Sequence, residues 1–509
     1  MKVLDAWRNI LGIENVLTDT ATVSAAQTAT FATTQRVLAL IRPGNRAEVQ
    51  ECVRIANEYQ TPIYPISCGK NWGLGSRVPV QDNCVILDLS RLNRIVDYNE
   101  KLAYITVEPG VTFRQVYEYL REQKSNLFVS VIGGSPEASL VGNTLERGDG
   151  FGPYGERLDY VCGLEVILPT GECVYTGFRR FANAKVANLN RWGVGPYVDG
   201  IFTQSNLGIV TAMTMWLMPI PKCFQLFTCT IVDTSHLDEL IDAVQTLVLQ
   251  GMLRSNSFSI WNSYKILASQ GRYPWKKMLK QTPLSLKSLK GVEPWFGNGA
   301  LYSGSQEQGL AERKLIEQAL NGKVAQLVFI DENSEFFKES AFIGVPNEKT
   351  ILSTYWRKKT PIISSLPMNP DRDGCGVIWL TTVLPFDGSE VLNIIKILES
   401  TFNYYQFEPH ITLHCRTGRS INVVIGIMYD RDVEGEDRSA MECHDKMLHI
   451  LLQGGYFPYR LGIHSMNSLP PAQDDYGKLI SALKRGLDPN NILAPGRYDF
   501  RSDWFDTIY

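Results

Sequence analysis

Two glycine-bearing stretches and a few polar residues late in the chain hold the chemistry that this sequence can do. The first stretch is CGKNWGLGS, Cys68 to Ser76. Its glycines let backbone N–H groups approach a bound anion closely. It lacks the G-x-x-x-x-G-K-[ST] frame of a P-loop, and no helical pattern follows it directly, so it is no Rossmann fingerprint. Alone, it reads as readily as an ordinary glycine turn. A second glycine cluster runs from Gly133 to Glu172, GGSPEASLVGNTLERGDGFGPYGERLDYVCGLEVILPTGE. Metal and thiol chemistry find less support. The histidines are His236, His410, His414, His444, His449 and His464. His410 and His414 have the spacing of two ligands on one helix face, but PHITLHC reads as a strand and no H-E-x-x-H is present. Structural histidines are the simpler reading, and no metal is expected. No cysteine pair has C-x-x-C spacing, and residues such as Cys84 in CVILDL sit in apolar runs, so the cysteines read as small core residues.

The elements that must position these residues belong to a globular chain. With 509 residues, two to four domains are expected, and 44% hydrophobic with 20% charged residues excludes a disordered chain. A net charge of -3 argues against nucleic acid and polybasic membrane anchors as partners. No apolar run reaches the roughly 18 to 20 residues that span a bilayer. MKVLDAWRNILG places Val3, Leu4, Trp7, Ile10 and Leu11 on one helical face and lacks a signal-peptide pattern. Thr507-Ile508-Tyr509 matches no targeting tripeptide. The expectation is a soluble protein, cytoplasmic by default, with the periplasm left open.

VLALIRP, TPIYPIS, CVILDLSRL and YITVEPG read as strands; GNRAEVQECVRIANEY and FRQVYEYLREQ read as amphipathic helices. VCGLEVILPTGECVYTG reads as a hairpin turning at Pro169-Thr170-Gly171. The fold class is α+β. Residues 222–450 mix strands such as FQLFTCTIV and INVVIGIMY with the helix SHLDELIDAVQTLVLQ, and KKTPIISSLPMNPDRDGCG reads as a loop.

CGKNWGLGS, VEPGVTF, VGNTLERG, PYGER, FTQSNLGIVT and DPNNILAPGR, in this order, resemble the vanillyl-alcohol oxidase and p-cresol methylhydroxylase flavoprotein family. The resemblance runs along essentially the whole chain. It implies a PCMH-type FAD-binding domain over residues 1–221, with its core at 33–221, completed by residues 451–509. An α+β cap domain over residues 222–450 would cover the flavin. The cofactor would be FAD. Ser67, Cys68, Gly69, Lys70, Asn71, Gly73, Leu74, Gly75 and Ser76 would surround its pyrophosphate. Ser139, Gly142, Asn143, Glu146 and Arg147 lie in a second cofactor segment, and Tyr154, Gly155, Gly208, Ile209 and Val210 would also line it. Arg147 beside Glu146 also reads as half of an internal ion pair.

The family oxidises para-substituted phenols: hydride leaves the benzylic carbon for flavin N5, giving a quinone methide. A phenolate in a dry pocket needs fixed donors and positive charge. Tyr459 and Arg497 would bind the phenolate oxygen, and Arg460 would stabilise the reduced ring. Their bland readings are a strand dipeptide with a surface arginine and a cap of the terminal helix. Departures from the family pattern bear on activity. Leu74 stands where phenol-oxidising members carry a tyrosine, a loss on the order of 1 to 3 kcal/mol for a buried anion. Asn369 and Val377 stand near the family's flavin-tethering positions, so FAD would be dissociable, with Cys375 a remote alternative tether. Leu413 and Gly426 stand near the positions of acidic residues beside the reacting carbon, leaving His414 or His464 as candidate bases. An FAD-linked alcohol or hydroxy-acid dehydrogenase and a catalytically degenerate structural subunit are the alternatives. The electron acceptor, a cytochrome c subunit or O₂, stays open, and a homodimer or higher homo-oligomer is expected.

Overall fold

The computed structural model describes residues 2–275, 292–360, 366–470 and 473–499. Residues 361–365 of the expected loop, the end of the terminal motif at Phe500 and the last three residues lie outside them. The fold is α+β, built on three main sheets. The first carries strands Val16–Leu17, Val37–Ile41, Cys84–Asp88 and Ile63–Ile66 in that order. Its last three strands are parallel, and helices Lys2–Leu11 and Arg46–Glu58 pack in the core formed with it. The sequence dictates the second helix locally: the Asn45 side chain accepts from the Glu48 amide, and Val49, Cys52, Val53 and Ala56 form the buried stripe.

The second sheet is antiparallel, in the order Ile95–Asn99, Tyr104–Val107, Ile209–Trp216, Val161–Ile167 and Cys173–Tyr175. The hairpin turns where expected, with the Gly171 amide bonded to the Leu168 carbonyl. Helix Phe113–Glu122 packs in this core and opens with a capping box, Thr112 and Gln115 satisfying each other's amides.

The third sheet has seven antiparallel strands, ordered Gln326–Phe329, Cys223–Ile231, Trp295–Ser303, Phe258–Asn262, His410–Thr417, Ser420–Asp430 and Cys375–Pro385. Successive side chains on a strand point to opposite faces. Ile260, Ile378, Leu380, Ile411, Leu413, Cys415, Val423 and Ile425 enter a core shared with helices Leu237–Leu249, Gly388–Tyr405 and Glu436–Gln453. Trp261, Trp379, Thr381, His410, Thr412, His414 and Val424 line a cavity on the other face.

The chain then returns to the first sheet. The Ile63 amide bonds to the Ile492 carbonyl, and the Ala494 amide to the Ile63 carbonyl. Buried Lys484, on helix Asp475–Leu487, ties this return down by donating to the carbonyls of Asn206 at 2.9 Å and Leu493 at 3.0 Å and to Asp488 at 2.6 Å. All ten cysteines are free. Among the described residues, no helix is long and apolar enough to cross a membrane.

Candidate active site

The cavity measures about 400 Å³ and lies between the glycine-bearing loops and the bare face of the seven-stranded sheet. That volume is in the range of cofactor and substrate pockets, roughly 300–1,000 Å³. The first glycine loop supplies Ser67, Cys68, Gly69, Lys70, Asn71, Leu74 and Ser76 to its lining. Among the described residues, the backbone amides of Gly69, Lys70 and Asn71 have no hydrogen-bond partner. Gly69 sits at φ +62°, a conformation glycine adopts without strain. Ser139, Gly142, Asn143 and Glu146 line the cavity from the second cluster, and Gly208, Ile209 and Val210 from the start of the central strand of the second sheet. A Cβ on Gly142 would stand 2.9 Å from the Ser67 hydroxyl oxygen, so the two cofactor segments meet there without room for a side chain.

Five of the residues expected at the cofactor do not line the cavity. Gly73, at φ +77°, supports the loop instead: a Cβ there would lie 2.1 Å from Cδ1 of Trp379. The Trp379 amide bonds to the Gly73 carbonyl at 3.0 Å, and Asp371 accepts from Ser76 at 2.7 Å and from Trp72 at 3.1 Å. Gly75 packs on Ile463. Arg147 donates to Thr203 at 3.2 Å rather than pairing with Glu146. Tyr154 stacks on Tyr160, and Gly155 approaches the carbonyl of Gly150.

Arg460 and Arg497 both line the cavity and share one carboxylate, Glu146. Arg497 pairs with it at 2.6 Å and donates to the Tyr64 hydroxyl at 2.9 Å. Arg460 lies 3.8 Å from it and donates to Asn71 at 2.7 Å. Neither arginine takes its bland role. Arg460 is largely buried and outside any strand, and Arg497 is buried ten residues past the end of the terminal helix. Burial works against ionisation of Glu146, but Arg497 and Arg460 outweigh it and hold the group below the usual carboxylate range. Two guanidinium groups on one carboxylate leave an excess positive charge facing the cavity.

Tyr459 donates to Asp149 at 3.0 Å. Asn422 donates to both oxygens of Asp149 at 3.1 Å, and Arg416 pairs with it at 3.2 Å while also holding Glu156. Burial first, then the Asp149 charge, raises the Tyr459 phenol well above its ordinary range. Arg157 is fully buried, bonded to Asn143 and the Gly148 carbonyl, and burial lowers it to about 10. It fixes the backbone that presents Asp149.

The sequence reading missed Asp149, Tyr64 and, apart from the candidate base His414, the side chains of the sheet wall. Asp149 sits in the R-G-D-G run between two motifs that were already singled out, and Tyr64 restores to the lining a hydroxyl that Leu74 withholds. Strand alternation separates the candidates: Leu413 points into the helix-covered core, while Thr412 and His414, one of the two candidate bases, face the cavity. His414 is half-buried, and the loss of water around its ring lowers its affinity for a proton. His464 lies outside the lining, edge-on to Phe31 and 3.3 Å from His444. Asn369, Cys375 and Val377 also lie outside it, and Cys375 is buried in a cluster with Trp72, Ile351 and Tyr355.

Unpaired amides at a glycine nest suit a pyrophosphate, and the arginine excess suits a ring that gains negative charge on reduction. The residues present therefore fit FAD. A family model described as an FAD binding domain matches residues 37–177. The 4-cresol dehydrogenase [hydroxylating] flavoprotein subunit of Pseudomonas putida is 31% identical, over 97% of this chain and 95% of that one. The chain belongs to the vanillyl-alcohol oxidase and p-cresol methylhydroxylase flavoprotein family. A crystal structure of p-cresol methylhydroxylase with substrate bound superposes on this family member with a TM-score of 0.90, at 30% identity, covering 98% of this chain and 96% of the other. The 1'-carboxy-chondrochloren decarboxylase of Chondromyces crocatus is 44% identical, over 99% of this chain and 98% of that one. Like its family, the protein is an FAD-dependent oxidoreductase.

Proposed function

We propose that the protein oxidises a para-substituted phenol at its benzylic carbon and that loss of a carboxylate as CO₂ completes the reaction. Residues 1–221 with 451–509 would form the FAD-binding unit and residues 222–450 the cap. FAD, held without a covalent bond by the two glycine segments, supplies the hydride acceptor. The observation that carries the reading is Tyr459 lining the cavity, hydrogen-bonded to a fixed carboxylate. A phenol bound there passes its proton to the Tyr459 oxygen as Tyr459 passes its own to Asp149. Arg416 and Asn422 hold Asp149 in place to receive it. Arg460 and Arg497 offset the negative charge that develops in the pocket.

Removal of a benzylic hydride from the phenolate leaves a para-quinone methide. Where the next carbon bears a carboxylate, the C–COO⁻ bond breaks. Its electron pair forms a C=C bond, the ring returns to a phenolate, and CO₂ departs. The decarboxylase relative supports this fate over addition of water. Anaerobic mixing of the holoenzyme with 3-(4-hydroxyphenyl)propanoate tests both parts. Flavin bleaching should yield 4-vinylphenol and CO₂ in equal amounts, and the O-methyl ether should be inert. Equal bleaching by the ether would refute the phenolate step, and bleaching without CO₂ would refute decarboxylation.

A further inference from the structure

The sheet wall of the cavity carries a cation with no anion beside it among the described residues. Lys265 lies on helix Ser263–Gln270 and is only 7% exposed, yet it lines the cavity. Its ammonium donates to the Ser353 hydroxyl at 3.0 Å and sits 5.3 Å from the Trp379 ring centre and 6.0 Å from that of Trp261. Among the described residues, no carboxylate pairs with it. The placement is built in. Asn262 caps this helix by accepting from the Lys265 amide at 3.1 Å, and the same side chain bonds to Pro409 and Ile411 at the start of the neighbouring strand. That clamp sets Lys265 beside His410.

Buried polar atoms without a partner among the described residues line the same cavity: the indole N–H of Trp261, the ring beside the Lys265 ammonium, and the hydroxyl of Thr350, whose carbonyl accepts from the Ser353 hydroxyl that Lys265 holds. Neither ring nitrogen of His410 makes a well-formed hydrogen bond; its polar neighbour is the main chain of Tyr264. Buried polar groups are normally bonded, and buried charges are normally paired. A cavity wall that presents an ammonium bonded only to a neutral hydroxyl, together with an unbonded indole N–H and an unbonded hydroxyl, is complementary to an anion with several acceptor oxygens.

We infer that Lys265, Trp261 and Thr350 form a carboxylate-binding subsite that selects anionic substrates. The inference rests on the proposed function for the identity of the anion, which is the carboxylate that departs as CO₂. His410 and His414 lie on one face of one strand, four residues apart, or about 14 Å along it. Lys265 stands beside His410, and Asp149, which accepts from Tyr459, acts on His414, so the two lie along one face of this strand, with the Lys265 charge still reaching His414. A phenol at Tyr459 would extend its acidic side chain toward Lys265. Departure of CO₂ removes the anion, so the product loses the ion pair and its hold on this part of the pocket.

Calorimetry on the holoenzyme separates this site from the chemistry. The probes are 3-(4-methoxyphenyl)propanoate, whose blocked phenol leaves it unreacted, and its primary amide. The wild type should bind the acid at least about tenfold tighter than the amide, in line with a desolvated charge pair. Lys265→Met should abolish that preference with amide binding and flavin content kept, Lys265→Arg should retain it, and Trp261→Phe should reduce it severalfold. Equal binding of acid and amide by the wild type, or a preference that survives Lys265→Met, would overturn the subsite. A preference for the acid without bleaching by the free phenol would instead leave the subsite standing and remove the proposed oxidation.

Discussion

The two walls of the cavity are made in different ways. The cradle wall, from residues 64–76, 133–150 and 202–210, works through backbone amides and the absence of side chains, with Glu146 holding two arginines in register. The sheet wall works through side chains that alternate along strands, and it leaves several polar groups unsatisfied. The first arrangement fits a ligand that never changes. The second fits one that differs from enzyme to enzyme. Specificity is therefore to be sought on the sheet and cofactor retention in the loops.

The largest effect expected from this division falls where the walls meet. Tyr459→Phe should slow flavin reduction by about 10²- to 10⁴-fold, or roughly 3 to 5 kcal/mol of barrier, because the proton path to Asp149 is cut. Flavin content should be unchanged; a loss of flavin in parallel with rate, measured by absorbance after gel filtration, would erase the distinction between the walls. Gly73→Ala should act in the opposite manner. The left-handed conformation costs about 1–2 kcal/mol and forced overpacking against Trp379 about 1–3 kcal/mol more. Denaturant unfolding and flavin release should both shift, while any enzyme that retains flavin turns over normally.

Lys265 sharpens the comparison through pH. Burial lowers its ammonium to about 8 from 10.5, so the unfolded chain binds more protons between those values. Stability contributed by this site should therefore rise as pH climbs from about 8 toward 10.5, by up to about 3 kcal/mol. The difference between wild type and Lys265→Met melting curves across that range isolates it; a flat difference would show that the ammonium is not desolvated. Thr112→Ala, at a residue whose backbone pairs with Ser139 of the cradle wall but whose side chain only caps its own helix, should cost only about 1 kcal/mol through loss of the helix cap and leave flavin and rate alone.

This asymmetry also explains what the sequence disclosed. Glycine segments can be read because a positive φ or a close approach demands one residue type, as at Gly69 and Gly142. Tyr459, Arg460 and Arg497 were legible from their motifs, but Glu146 as the shared partner of both arginines was not, since nothing local links residues so far apart. The sheet wall was harder. His410, Thr412 and His414 become a set only once the pleat is known; His414 was named as a candidate base, whereas its neighbour Leu413 points to the opposite face. Lys265 carries little local signal: in SYKILASQ it looks like any helical lysine, and its importance comes from the Asn262 cap and Trp261 just before it and from Trp379, which another strand brings to it.

The shared Glu146 carboxylate has a consequence for how the protein is made. Glu146 and Tyr498 are bonded across a separation of 352 residues. At about 5–20 residues per second, a ribosome takes roughly 20–70 s to cover that stretch. For most of this interval the first glycine segments exist while Arg460, Arg497 and Tyr498 do not, and Glu146 lacks the two arginines that pair with it. Coenzyme capture is thus timed to the close of translation. Stalled nascent chains that end before Arg460 should show no flavin fluorescence change, and chains extended past Tyr498 by an exit-tunnel-length linker should; capture by the shorter chains would refute this timing.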